Sequence, residues 1–172
     1  SDDDIKNYLD TFRSALLEMT KGIRFDLIHS HHLWLLSSFT RRLFPELPMV
    51  TSCHGSDLRQ LKQCPHLRPY VQQGCKDIDT ILALSGEQKV QITETLKVFP
   101  EKIKVVGAGY NQNIFYRKSA VYTDEKAIVF AGKISKAKGV NWLLQSLSQL
   151  SVSFRLHLVG SGTGSEYEDC MR

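Results

Sequence analysis

Short, almost wholly apolar runs alternate along this chain with segments whose apolar residues recur every three or four positions. Strand-like runs are expected at residues 25–29, 49–52, 81–84, 103–106, 127–131 and 154–159. Between them, Tyr8, Leu9, Phe12, Ala15, Leu16 and Met19 mark one helical stripe, and residues 33–43 and 140–150 mark two more. A further helix is expected after Ser85, which Gln88 pairs with as a capping box. Apolar strands alternating with amphipathic helices predict an α/β protein: Rossmann-like parallel sheets, with flanking helices covering both faces. Ligands of such sheets sit at the carboxyl ends of the strands. That rule points to residues 29–32, 53–57, Ser85, 107–109, 132–139 and 160–164, where glycines, histidines and lysines gather.

Composition narrows the function classes. Of 172 residues, 42% are apolar and 23% charged, the profile of a soluble chain with a core. No apolar run approaches the roughly 18 residues a membrane-spanning helix needs. A net charge of +4 is too mild to predict a nucleic-acid partner. The opening Ser1-Asp2-Asp3-Asp4 is no signal peptide and lacks an initiator methionine, which reads as a segment of a longer protein. Cys53, Cys64, Cys75 and Cys170 are expected as reduced thiols.

Three loops carry the candidate chemistry. Gly132-Lys133-Ile134-Ser135-Lys136-Ala137-Lys138-Gly139 lies between a strand and a helix. Lysines beside a helix N-terminus suit phosphate, although the spacing is not that of a Walker loop. The bland alternative is a solvated basic loop. His54-Gly55-Ser56-Asp57 follows a strand: the glycine permits close backbone approach and the histidine can orient a hydroxyl, or it is a structural histidine. Gly160-Ser161-Gly162-Thr163-Gly164 is an imperfect dinucleotide fingerprint or a plain turn. His29, His31 and His32, with Cys53, Cys64, His66 and Cys75, do not have the spacing of a zinc finger or ribbon. His29 and His31 share a strand face and His32 is expected to start a helix, so no metal site is predicted.

The run Phe130-Ala131-Gly132-Lys133-Ile134, then Lys138-Gly139-Val140 and Leu143-Leu144, resembles the hallmark of family 4 (group 1) retaining glycosyltransferases of GT-B fold. In that hallmark a strand ends in Gly-Arg or Gly-Lys, and Lys-Gly opens a helix. His54-Gly55-Ser56-Asp57 resembles the family's His-Gly-Ser/Thr-Asp loop. Ile81-Leu82-Ala83-Leu84-Ser85, Pro100-Glu101-Lys102-Ile103 and the turn Gly109-Tyr110-Asn111 before Phe115 resemble its interdomain run, with Gly-Ala-Gly-Tyr-Asn where Asn-Gly-Val-Asp is commoner.

The resemblance implies a partial GT-B fold: residues 1–118 from the N-terminal, acceptor-side domain and 119–172 from the C-terminal, donor domain, joined by a polar linker over 111–124. It implies transfer of a sugar from a nucleoside diphosphate sugar to a saccharide, lipid or small-molecule hydroxyl, with retention. Lys133 and Lys138 would hold the diphosphate, with Gly132, Gly139, Gly160 and Gly162 on the donor side. His54 would be catalytic, and His31, His32, Gly55 and Asp57 would line the acceptor cleft. No metal and no cofactor beyond the donor are implied. A cytoplasmic location is, and peripheral membrane association of the whole protein is allowed; no oligomeric state is read. The family's N-terminal glycine-rich loop and its paired glutamates would lie outside this sequence, so the segment alone is not expected to catalyse. The rival readings are a GT-B epimerase or phosphorylase and a non-catalytic Rossmann-like binding module. A dinucleotide oxidoreductase lacks its acidic residue about 20 positions past the glycines.

Overall fold

The computed structural model describes residues 2–116 and 126–171. The chain divides into two compact units, Ser1–Asn111 and Gln112–Arg172. Most of the linker expected over 111–124 lies outside the described residues.

In the first unit α1 (Asp2–Thr20) leads to β1 (Ile28–His31), α2 (Leu35–Leu43), β2 (Met49–Ser52), α3 (Ser56–Gln63), α4 (Arg68–Lys76), β3 (Thr80–Ala83), α5 (Gly86–Leu96) and β4 (Ile103–Val105). The strands form one parallel sheet in the order β1-β2-β3-β4. Every crossover steps the same way along the sheet, and crossovers are right-handed, so the connecting helices fall in one layer. That layer is seen: α2 packs on α4, and α4 on α5. Beneath it, Met49, Thr51, Ile81, Ala83 and Ile103 are buried. The opposite face carries His29, His31, Val50, Ser52, Leu82 and Lys104, none of them buried. The expectation of helices on both faces is therefore corrected: within the described residues, one face is covered. Burying the second would need the strand order to reverse.

The helix α5 starts as its sequence predicts. The Ser85 hydroxyl accepts from the Gln88 amide at 3.1 Å. Gln88 Oε1 reaches back one residue further than expected, accepting from the Leu84 N–H at 2.7 Å. Two helices, α3 and α4, went unmarked by periodicity. In α3 only Leu58 and Leu61 are buried apolar residues, too few to show a period. In α4, Pro69 and Gly74 mask the pattern, yet proline suits a helix's first turn.

Gly74 is there because α4 meets α2 backbone to backbone. A Cβ at Gly74 would overlap Ser38 Oγ and stand 2.5 Å from the Ser38 carbonyl oxygen. Ser38 Oγ meanwhile donates to the Tyr70 carbonyl at 2.9 Å and accepts from Arg42 at 2.9 Å. Gly74→Ala is expected to destabilise the first unit by about 1–3 kcal/mol despite alanine's better helix propensity. An unchanged urea midpoint would show that the two helices can separate freely.

The second unit holds β5 (Ala127–Ala131), a 3-10 turn at Lys136–Lys138, α6 (Val140–Leu147), β6 (Arg155–Val159) and α7 (Ser165–Met171). The helix α6 stops three residues before the expected end. The strands β5 and β6 are parallel, with Ala127 opposite Arg155 and Ala131 opposite Val159. Ile134, Val140 and Cys170 form a small core with Phe130, Leu144, Leu158 and Tyr167. The other strand face, including Val129 and Val159, is exposed. No helix among the described residues is long and apolar enough to cross a membrane. All four cysteines are unpaired.

Candidate functional site

Two sets of groups sit at the carboxyl ends of the strands, one in each unit. In the first, register decides which side chains meet. His31 stands opposite Ser52, the residue before the loop that carries His54. His31 Nδ1 and His54 Nε2 are consequently 2.9 Å apart, one donating to the other. His29, two residues back on the same face, bonds Ser52 Oγ through Nε2 at 2.9 Å. The rings continue as a chain: His29 to His31 at 4.7 Å, His31 to His54 at 5.2 Å, His54 to His32 at 4.6 Å between centroids.

His32 does not start a helix, contrary to expectation. It holds a left-handed backbone (φ 67°), and α2 begins only at Leu35, after Trp34. That conformation costs a non-glycine residue about 1–3 kcal/mol. It is held by His32 N–H donating to the Ser52 carbonyl at 2.9 Å and by Ser37 Oγ donating to the His32 carbonyl at 2.6 Å. Gly55 has the same hand (φ 82°) and precedes α3, folding the His54 loop back over the strand end.

Asp57 lies beneath these loops rather than on them, only 1% exposed. Its Oδ2 accepts from the Leu33 amide at 2.8 Å and the His54 amide at 3.3 Å; its Oδ1 accepts from the Leu58 amide at 3.1 Å and the Cys53 thiol at 3.4 Å. One carboxylate thus fastens the loop after β1 to the loop after β2. Burial first, then the Asp57 charge, pushes the Cys53 thiol up to about 12, which keeps it a protonated donor. His31 is held below its ordinary value, first by loss of water around the crowded ring and then by the like charges of His29, His54 and His32. Asp57 positions the histidines and offers no oxygen to a ligand. The large cavity of this unit, about 680 Å³ beside α1 and lined by Phe39, Arg42 and Tyr70, contains none of the candidate residues.

In the second unit the two glycine loops run side by side. Gly132 N–H donates to the Val159 carbonyl at 2.9 Å and Ile134 N–H to the Ser161 carbonyl at 3.0 Å, prolonging the ladder past the strands. The loops touch at Gly132 and Gly160, where a Cβ on Gly160 would overlap the Gly132 carbonyl oxygen. Glycine there leaves an open groove of about 430 Å³ lined by Gly132, Lys133, Gly160, Ser161, Gly162 and Thr163. Ser161 and Thr163 were not singled out from the sequence; hydroxyls inside a glycine turn are the signal that marks them.

Lys138 and Gly139 are placed differently. They close the 3-10 turn, with their N–H groups donating to the carbonyls of Ser135 (3.1 Å) and Lys136 (2.9 Å), and Gly139 caps α6. Those two amides are therefore spent, and the donors at the α6 N-terminus are those of its first turn. Lys136 pairs with Asp169 at 3.3 Å. Lys133 and Lys138 are exposed, and neither pairs with a carboxylate among the described residues. Lys133 lines the groove, while Lys138 stands at the entrance of α6.

Parallel strands feeding glycine and histidine loops define a Rossmann-like α/β protein, and its fold is that of the GT-B glycosyltransferases. A glycosyltransferase from Rickettsia africae ESF-5 superposes with a TM-score of 0.64 at 16% identity, over 95% of this chain and 45% of its own. Residues 3–113 match Glycosyltransferase Family 4, and the chain belongs to that family. An uncharacterized glycosyltransferase of Methanocaldococcus jannaschii, MJ1178, is 29% identical over 80% of this chain and 37% of its own length. N-acetyl-alpha-D-glucosaminyl L-malate synthase of Bacillus anthracis is 22% identical over 87% of this chain and 42% of its own. The chain therefore spans less than half the length of these relatives.

Proposed function

We propose that this chain is part of a retaining glycosyltransferase that moves a hexosyl group from a nucleoside diphosphate sugar to an acceptor hydroxyl. The groove in the second unit carries the reading. Two glycines at adjacent strand ends clear the backbone for a bulky anion, and a lysine without a carboxylate partner among the described residues stands on its wall. In the reaction the bond from the anomeric carbon to the diphosphate oxygen breaks, the acceptor oxygen takes its place on the same face, and the hydroxyl proton passes to the leaving diphosphate. Negative charge grows on the leaving diphosphate. Lys133 in the groove, and Lys138 with the first-turn amides of α6, stabilise it there. These fixed charges take the part a metal ion plays elsewhere, so EDTA should leave turnover unchanged. His54, oriented through His31, positions the acceptor or the transferred sugar. A nucleotide-sugar donor and the unpaired thiols suit a cytoplasmic setting.

Calorimetric titration with UDP, GDP and ADP tests the donor site. At least one should bind, and Lys133→Ala should weaken that binding by about 10- to 100-fold, as expected for one charge-assisted contact worth about 1.5–3 kcal/mol. Binding by none of the three would leave the groove without a donor and end the proposal.

A further inference from the structure

The four histidines gathered at the carboxyl ends of β1 and β2 are more than a hydroxyl clamp needs. Each ring spends one nitrogen inside the protein: His31 Nδ1 on His54 Nε2, His29 Nε2 on Ser52 Oγ, and His32 Nδ1 towards Ser56 Oγ at 3.5 Å. The second nitrogen of each ring has no protein partner among the described residues. The carboxylate that fastens the two loops, Asp57, is buried with both oxygens committed to protein donors. The remaining charged groups on the elements packed here are Arg41 and Arg42 on α2, Arg59 and Lys62 on α3, Glu87, Lys89 and Glu94 on α5, and Lys104 on the open sheet face. Of these, Glu87 accepts from Gln91 and Lys89 donates to the Ile103 carbonyl.

No carboxylate among the described residues is presented to this face of imidazoles. His31 is held below its ordinary value first by loss of water around its ring and then by the like charges of His29, His54 and His32. A ligand oxyanion would reverse that balance, because it turns each charged ring from a cost into a donor. A cation would meet the opposite situation. The closest ring nitrogens are bonded to each other, and no group of three His, Cys, Asp or Glu residues among those described has a metal-holding arrangement.

We infer that His31, His32 and His54 bind an oxyanion, a carboxylate or phosphate group carried by the sugar acceptor, at the carboxyl ends of β1 and β2. The inference rests on the reading that the first unit serves the acceptor. Binding takes up protons, so affinity strengthens as pH falls towards the range where histidine ordinarily charges. The affinity of an uncharged acceptor would show no such dependence.

Histidine-ring NMR tests this on the unmodified chain, which has six histidines. The rings are titrated from about pH 8 to about pH 5 with inorganic phosphate, with succinate, or with chloride at matched ionic strength. Phosphate or succinate should raise the apparent pKa of His31 by about 0.5 or more, with rises at His32 and His54, and leave His66 and His157 where chloride leaves them. The stronger of the two anions identifies the acceptor's acidic group. In His54→Gln the rise at His31 should shrink. Equal movement of all six rings, or none, would overturn the inference. So would movement with UDP alone, which would hand the cluster to the donor. Calorimetry with nucleotides reports the donor groove separately, so either reading can fail without the other.

Discussion

Lys138→Ala is expected to lower the turnover of the complete enzyme by about 100-fold or more at saturating donor, the loss typical of one preorganised charge stabiliser. The physical reason lies in its place. Lys138 closes the turn that delivers Gly139 to the start of α6, so its ammonium adds a whole charge to the partial charge of the helix N-terminus. Charge that exists fully only when the diphosphate leaves makes the interaction stronger in the transition state than in the ground state, so kcat should fall more than KM rises. Folding should not suffer, because the side chain is exposed and makes no ion pair among the described residues. Near-normal kcat in a well-folded Lys138→Ala protein would remove this residue from the diphosphate. Lys133→Arg, by contrast, should keep most activity, since a guanidinium offers the same charge with a fork suited to phosphate.

Asp57→Ala should have the largest effect on the first unit, destabilising it by about 3–5 kcal/mol. The carboxylate receives three backbone amides and a thiol, and two of those amides, Leu33 and Leu58, are themselves buried. Removing it strands donors with no water to replace it. Asp57→Asn keeps the shape and one acceptor oxygen, so its cost should be roughly half. Thermal unfolding orders the two: alanine should lower the midpoint by more than about 10 °C, and asparagine by clearly less. If asparagine were as harmful as alanine, the charge rather than the hydrogen-bond count would hold the loops. Activity should fall in both, because the loop after β1 and the loop after β2 would no longer bring His31 to His54.

Much of this was legible in the chain. The runs at 49–52 and 127–131 became strands with those limits, because short runs led by apolar and β-branched residues between glycines, prolines and polar loops leave little other choice. Ser85 marked the start of α5 because a hydroxyl that can accept from an amide three residues on is a local matter. The strand-end rule drew attention to His31, His54, Gly132 and Gly160 before any of them had a neighbour. Helices α3 and α4 were not legible, since Leu58 and Leu61 alone give no period and Gly74 looks like a breaker until Ser38 is seen against it.

What the sequence determined by itself was therefore local: which segments extend, which coil, and which loops carry glycine, histidine and lysine. Those properties depend on neighbours a few residues apart, and they are written in order along the chain. The tertiary structure alone decided that His31 bonds His54, that Asp57 turns inward to tie their loops, that Gly132 and Gly160 touch, and that Lys136 is drawn off to Asp169 while Lys133 faces a groove. Each of those joins residues more than 20 positions apart, except for the short reach of Asp57 to His54. Strand register and helix crossing set such pairings, and neither is a property of any single segment.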